Sequence, residues 1–210
     1  MKVHLLSYTI NPVETIYRAF RQCYSKRTAR DIKIPSNEEM ISFICKWMGK
    51  GHESPVEHVS FTFSIEGVSR ALTHQLVRHR IASYSQQSQR YVDGYNFEFV
   101  TPPSIKEDNT FKFIYDDFMK ECWFKYDYLV SNGVSKEDAR YVLPNATTSN
   151  IVVTMNLRSL RHFYDERSCI RAQWEIRELA NKMMVRAKEI ISFADYKAKK
   201  CGITCFECES

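Results

Sequence analysis

The chain has 210 residues, 44% of them hydrophobic and 13% aromatic, with a formal net charge of +5. That composition excludes a disordered polyelectrolyte and supplies a full core, most simply as one domain spanning 1–210; no stretch approaches the roughly 20 apolar residues that cross a bilayer. The modest charge, without a Lys/Arg-rich tail, points to small anions as partners rather than nucleic acid or a membrane, and the start Met1-Lys-Val-His-Leu-Leu lacks the apolar run of a signal peptide, so a cytoplasmic location is expected.

Residues 2–9 predict a strand. Asn11-Pro-Val-Glu14 offers an N-cap, a proline at the first helical position and an acid in the first turn, predicting a helix to about Cys23. Ser36-Asn-Glu-Glu39 is a capping box, and the apolar face Met40, Ile41, Phe43, Ile44, Trp47 and Met48 runs to a stop at Gly49 and Gly51. Val59 to Glu66 alternates apolar and polar, as a half-buried strand does. Ser69 caps a helix running into Arg78, on which Gln75 is expected to face the same way as Arg78 and His79. A serine loop follows, then a strand over Phe97 to Val100 before Pro102-Pro103. An aromatic-rich helix is predicted from about Asn109 to Asn132, ending at Gly133. Ser135-Lys-Glu-Asp138 opens a short helix that carries Arg140 and stops at Pro144. Thr147 to Thr154 is β-branched and strand-like. Asn156 then caps a helix with Arg158, Arg161 and His162 on one face and Arg167 on the other. Gln173 to Phe193 is a last amphipathic helix, with Trp174, Ile176, Leu179, Met183 and Ile190 in the core. The pattern predicts an α+β fold, a small mixed or antiparallel sheet flanked by helices.

The richest stretch is Arg78-His-Arg-Ile-Ala-Ser-Tyr-Ser-Gln-Gln-Ser-Gln-Arg90, which holds three guanidiniums, an imidazole and three serine hydroxyls without one carboxylate. Arginine forks and hydroxyls together suit phosphate. Lysine and arginine each occur fifteen times, yet no lysine lies between Lys50 and Lys106 or between Lys136 and Lys182, where ten arginines cluster. A merely solvated basic surface would mix the two, whereas directional anion recognition favours arginine. Neither a P-loop nor a dinucleotide glycine fingerprint is present among six glycines. Any nucleotide phosphate must therefore be held by arginine and serine side chains.

His52-Glu53-Ser54-Pro55-Val56-Glu57-His58 departs from the zinc-protease pattern, because Pro55 breaks the helix that would present both histidines. A Ser88/His79/Asp165 triad is conceivable but has no nucleophile-elbow sequence. Cys23, Cys45, Cys122 and Cys169 sit in apolar patterns and read as reduced core thiols. The tail Cys201-Gly-Ile-Thr-Cys205-Phe-Glu-Cys208 is one ligand short of a closed zinc site, so no metal is expected. A basic RNA-binding module and a zinc-stabilised interaction domain are the rival classes; neither explains two lysine-free arginine windows.

Arg78, His79 and Arg80, followed after seven residues by Ser88, resemble the signature of the flavin-dependent thymidylate synthases. The likeness extends to Gly51 through His58, to Arg140 before Val142-Leu-Pro144, and to Asn156-Leu-Arg158-Ser-Leu-Arg-His162-Phe with Arg167 and Ala172-Gln-Trp-Glu-Ile176. It implies the α+β fold of the thymidylate synthase complementing proteins. The implied reaction is reductive methylation of dUMP to dTMP, with 5,10-methylenetetrahydrofolate as carbon donor and NADPH-reduced FAD as hydride source. A homotetramer with active sites shared between subunits is implied as well. Carried over by position, dUMP would be met by Gln75, Leu76, Val77, Arg78, Gln86, Gln87, Ser88, Gln89, Arg90, Arg140 and Arg167. FAD would be met by His52, Ser54, Arg78, His79, Arg80, Gln86, Asn156, Leu157, Arg158 and His162. Arg167 and Ser88 are the expected catalytic residues. Arg167 would stabilise charge developing on the uracil ring. Ser88 would bind phosphate, since nucleophilic serine needs an adjacent base. Many relatives carry Asn and Glu where this chain has Ser85 and Gln86.

Overall fold

The computed structural model describes residues 1–91 and 98–197. Among them, β1 (Lys2–Tyr8), β2 (Ser60–Ser69), β3 (Ser83–Gln86) and β4 (Thr148–Asn156) form a sheet in the order β1-β2-β4-β3. The Leu157 N–H donates to the Val59 carbonyl at 2.7 Å, Thr62 and Thr154 pair their hydroxyls at 3.0 Å, and Gly67 N–H reaches the Asn150 side chain at 3.0 Å. Residue numbers rise along one strand as they fall along the other, so β2 and β4 are antiparallel.

The alternation of β2 is realised, with Phe61, Phe63 and Ile65 buried. The strand outruns its expected end at Glu66, because Gly67 adopts φ 65°, a conformation glycine takes without strain, and Val68 returns to the core. The expected serine loop is partly strand β3. Tyr84 and Gln86 are half-buried while Ser83 and Ser85 are exposed, a period of two concealed by polar residues on both faces. Between Phe97 and Val100 the described residues hold one isolated bridge, Phe99 to Thr147; Phe97 itself lies outside the described residues, as do the three tail cysteines.

The helices are α1 (Pro12–Gln22), α2 (Asn37–Met48), α3 (Arg70–Leu76), α4 (Pro103–Lys106), α5 (Asn109–Ser131), α6 (Lys136–Ala139), α7 (Leu157–Arg167) and α8 (Trp174–Ile190). Side chains of Ser36, Ser69, Asp108, Asn156 and Gln173 each accept N–H groups of the first turn that follows them, satisfying donors that a helix start leaves open. Asn11 departs from expectation: it sits at φ 50° and its side chain makes no cap.

The chain folds as two compact units, each drawn from several stretches. Among the described residues, one comprises 1–2, 65–78, 85–91 and 98–151, and the other 3–64, 79–84 and 152–197. The first packs Val68, Leu72, Leu76, Met119 and Ile151 into its core; the second packs Phe20, Ile44, Phe61, Phe163, Ile176, Leu179 and Met183. Trp174 and Ile190, expected in the core, are half-buried at the two ends of α8. Cys169 is buried, Cys45 and Cys122 are half-buried, and Cys23, at the end of α1, is exposed instead of in the core; all four are free thiols.

Candidate functional site

In the first unit the arginine-bearing segments are tied together by main-chain bonds. Arg70 N–H donates to the Thr147 carbonyl at 3.1 Å and Ala71 N–H to Asn145 at 3.0 Å, which pins the stretch following Arg140 to the first turn of α3. Arg140 opens a 3₁₀ turn after α6, and its Nε donates to the Glu137 carbonyl at 3.0 Å. Arg90 Nη2 meets Glu137 Oε2 at 2.7 Å. Burial first, and then the like charge of Arg140, press the Arg70 guanidinium pKa below its ordinary value. Arg90 and Arg140 both contact Glu137, and Arg70 feels the charge of Arg140, which leaves an excess of positive charge suited to an anion.

The segment between the arginines is held by polar contacts. Gln86 Nε2 donates to Thr73 Oγ1 at 3.0 Å and Ser149 Oγ at 3.1 Å. Gln87 bonds Asn150 twice: its N–H donates to the Asn150 carbonyl at 2.9 Å, and its side-chain oxygen accepts the Asn150 N–H at 3.3 Å. Ser88 Oγ accepts the Arg90 N–H at 3.2 Å, a local turn that aims the arginine. Gln89 is half-buried beside them. Gln75 is half-buried near the end of α3, Leu76 is fully buried, and Val77 and Arg78 are exposed on the turn that follows.

In the second unit, α7 carries a pocket of about 510 Å³ whose lining includes Glu53, Glu57, Ile81, Asn156, Arg158 and His162. The Asn156 side chain accepts the Ser159 N–H at 2.8 Å, so one residue both starts the helix and faces the pocket. Arg158 is paired with Glu57. His162 Nε2 lies 3.4 Å from Glu166. Leu157 is fully buried. Arg161 does not share the exposed face expected for it: it is buried, donating to the carbonyls of Ala194 at 2.9 Å and Tyr196 at 2.8 Å, with Glu53 at 3.4 Å.

His79 is buried between exposed Arg78 and Arg80, so helical spacing from Gln75 does not describe it; α3 ends at Leu76. Its ring centroid lies 5.6 Å from those of His162 and Phe163, and its Nε2 is buried without a hydrogen-bond partner. Burial lowers its pKa, His162 adds to that, and Glu166 opposes it. Arg167 ends α7 with its Nε likewise buried and unpartnered. His52 is exposed against the edge of the Trp47 ring at 5.4 Å, and exposed Ser54 opens the 3₁₀ turn Ser54–His58. His79, His162 and Glu166 bring donor atoms within 4.8 Å of one another, but two of the three are exposed and already in contact with each other, so no metal is assigned.

Four functional neighbours escaped the sequence reading. Glu53 and Glu57 stood in view beside His52 and His58 without a hint that each would reach an arginine of α7. Glu137 lies three residues before Arg140, but its contact with Arg90 is long-range. Tyr84, among the serines, donates its hydroxyl to the His79 carbonyl at 2.6 Å, and burial pushes its pKa up to about 12.

A four-stranded α+β fold that carries an arginine cluster in one unit and a polar pocket on α7 in the other has the chemistry of a protein suited to anionic ligands. Residues 4–191 match the family model for thymidylate synthase complementing protein. The chain is 48% identical over 204 residues to a flavin-dependent thymidylate synthase of Nitratidesulfovibrio vulgaris, covering 90% of this chain and 83% of that one. It is 47% identical over 210 residues to one from Clostridium tetani, with the same coverages. Among solved structures, a flavin-dependent thymidylate synthase of Helicobacter pylori complexed with FAD and dUMP superimposes with a TM-score of 0.77 at 22% identity, covering 95% of this chain and 100% of that one. A UMP/dUMP methylase of Streptomyces cacaoi bound with 5-Br dUMP gives 0.78 at 22%, covering 96% and 97%. At that identity the structures speak for the fold. The chain belongs to the thymidylate synthase complementing protein family, whose members matched here are flavin-dependent thymidylate synthases.

Proposed function

We infer that this chain is an FAD-dependent thymidylate synthase: it methylates dUMP to dTMP, with 5,10-methylenetetrahydrofolate as carbon donor and NADPH as the source of reducing electrons. The observation that carries this reading is near-half identity to flavin-dependent thymidylate synthases over nine-tenths of the chain. Two buried polar atoms outside the pocket lining suit a ring rich in acceptors and donors. His79 Nε2 and Arg167 Nε lack hydrogen-bond partners, a deficit of about 1–3 kcal/mol each that a flavin or uracil ring, rimmed with carbonyls and nitrogens, offsets. FAD, when bound, supplies the redox chemistry, and the protein supplies orientation and charge.

On this reading Asn156, Arg158 and His162 hold the cofactor, with His79, Arg80, Ser54 and His52 around it. Arg158 exchanges Glu57 for the anionic part of FAD. Arg90 and Arg140 hold the dUMP phosphate, and Ser88 donates to it as a binding group. Leu76 and Leu157 are fully buried, so they act by placing their neighbours. Arg167, a fixed cation, stabilises the negative charge that develops on uracil N3 and O2 as C5 becomes nucleophilic. Gln86 orients the substrate loop. The two units interleave in sequence, which supports treating residues 1–210 as one domain. The exposed aromatic side chains of α5 support self-association, and a homotetramer with active sites shared between subunits is the assembly this reading expects.

The test is a visible spectrum of the protein after FAD addition and desalting, followed by anaerobic NADPH with and without dUMP, and then dTMP formation on adding methylenetetrahydrofolate. Retained flavin that NADPH bleaches, with dTMP as product, is the expected result. A protein that stays colourless, or bleaches without forming dTMP, overturns the assignment.

A further inference from the structure

We propose that Glu137 is a built-in competitor for the substrate phosphate: its carboxylate occupies the Arg90 guanidinium that the nucleotide must take over, and thereby sets how strongly the site selects a dianion over weaker anions. This rests on the reading that Arg90 and Arg140 hold the dUMP phosphate.

The ion pair is built to be exchanged. Its recorded contact is a single Nη2–Oε2 approach at 2.7 Å, not the two-point fork that makes arginine–carboxylate pairs strong. Both side chains are about half exposed, 43% for Arg90 and 51% for Glu137, where an ion pair is worth at most a few-fold in an equilibrium constant. A phosphate dianion carries nearly twice the charge and offers three acceptor oxygens, so it displaces a carboxylate from the same guanidinium.

Glu137 can yield without disturbing the backbone that carries it. Ser135 caps α6, accepting the Asp138 N–H at 3.3 Å while its hydroxyl lies 2.9 Å from the Asp138 carboxylate. The Glu137 carbonyl keeps its bond from Arg140 Nε whatever its side chain does. One residue thus anchors one phosphate-site arginine through its main chain and restrains the other through its side chain. Without Glu137, the Arg90 guanidinium would lose its carboxylate partner and stand open to any passing anion. The second unit repeats the device independently, with half-exposed Glu57 on Arg158.

The experiment is calorimetric titration of the FAD-loaded enzyme with dUMP and with deoxyuridine, and dUMP titration in the presence of inorganic phosphate, for wild type, Glu137→Gln and Arg90→Gln. Glu137→Gln is expected to tighten dUMP about threefold, the scale a half-exposed ion pair allows, to leave deoxyuridine unchanged and to make inorganic phosphate a better competitor. Weaker dUMP binding would make Glu137 a positioning residue for Arg90 and overturn the proposal, as would no change. Arg90→Gln is expected to bring dUMP affinity down at least tenfold toward that of deoxyuridine. If it leaves dUMP binding unchanged, the phosphate assignment of Arg90 fails, and competition by Glu137 fails with it for that separate reason.

Discussion

Thr73 Oγ1 has one proton, and it goes to the Arg70 carbonyl at 3.0 Å, so toward Gln86 this hydroxyl acts as an acceptor. A side chain at 86 must donate, which an amide does and an ionised carboxylate cannot. Gln86→Glu is therefore expected to destabilise the protein by about 1–2 kcal/mol at neutral pH, more than Gln86→Met does. Part of the loss should return as the pH falls far enough to protonate the acid, which regains an O–H donor. Thermal unfolding across pH reads this, and a Gln86→Glu protein as stable as wild type at pH 7 would refute it. His79 gives a second titration. Its pKa is held below the ordinary 6.5, first by burial and then by His162, so the unfolded chain takes up the proton before the native state does. The stability it contributes is complete above pH 6.5 and is lost as the pH drops toward the folded-state value. The unfolding temperature should decline below pH 6.5, and less steeply in His79→Gln; an identical slope in both would remove His79 as its origin.

Helix α2 and helix α7 begin alike, with Ser36 accepting the Glu39 N–H at 3.3 Å and Asn156 accepting the Ser159 N–H at 2.8 Å, yet only α7 carries the pocket. Ser36→Ala and Asn156→Ala should each cost about 1 kcal/mol of stability. FAD affinity should fall in Asn156→Ala alone, because its helix start also aims Arg158. Equal flavin binding by both variants would place Asn156 outside the cofactor site. These starts were legible in the sequence because a cap is a contact between a side chain and a backbone group two or three residues on. Asn11 shows the limit, since the same residue type can instead take a left-handed backbone and leave the cap unmade. Strand β3 was illegible for another reason: its alternation is of exposure, not polarity, so Ser83-Tyr-Ser-Gln86 reads as a loop. Arg161 was misplaced because helical spacing tells which residues share a face, not which distant carbonyls will draw one of them inward. The arginine windows pointed to anion sites, while the acids that occupy those arginines, Glu57 and Glu137, are set by long-range packing that no local pattern encodes.

Of the 23 residues of α5, only Met119 and Tyr126 are buried, while Phe111, Phe113, Ile114, Phe118, Phe124 and Tyr128 are exposed. At about 100° per residue the buried pair lies on one side of the helix, and the six exposed apolar residues spread over roughly the opposite half. Single exposed apolar residues are ordinary, but six of them on one side of a helix, with Phe113 at 72% exposure, are more than a monomer usually leaves in water. Exposed Asp117, Glu121 and Lys125 share that side, and charges of both signs among aromatic rings suit contact with a second copy of this chain; a tetramer needs such faces on every subunit. Phe113→Glu with Phe118→Glu changes residues that contribute little to the packing of the chain itself, so secondary structure and the unfolding transition of the isolated subunit should survive. In the assembly those carboxylates would be buried without partners, a cost of several kcal/mol that favours dissociation. Light scattering should show the double variant as smaller species, and if active sites are completed by neighbouring subunits, dTMP formation should be lost with the assembly. A variant that keeps the wild-type mass would exclude α5 as the interface, whereas smaller species with full turnover would retain the interface and refute the sharing of active sites.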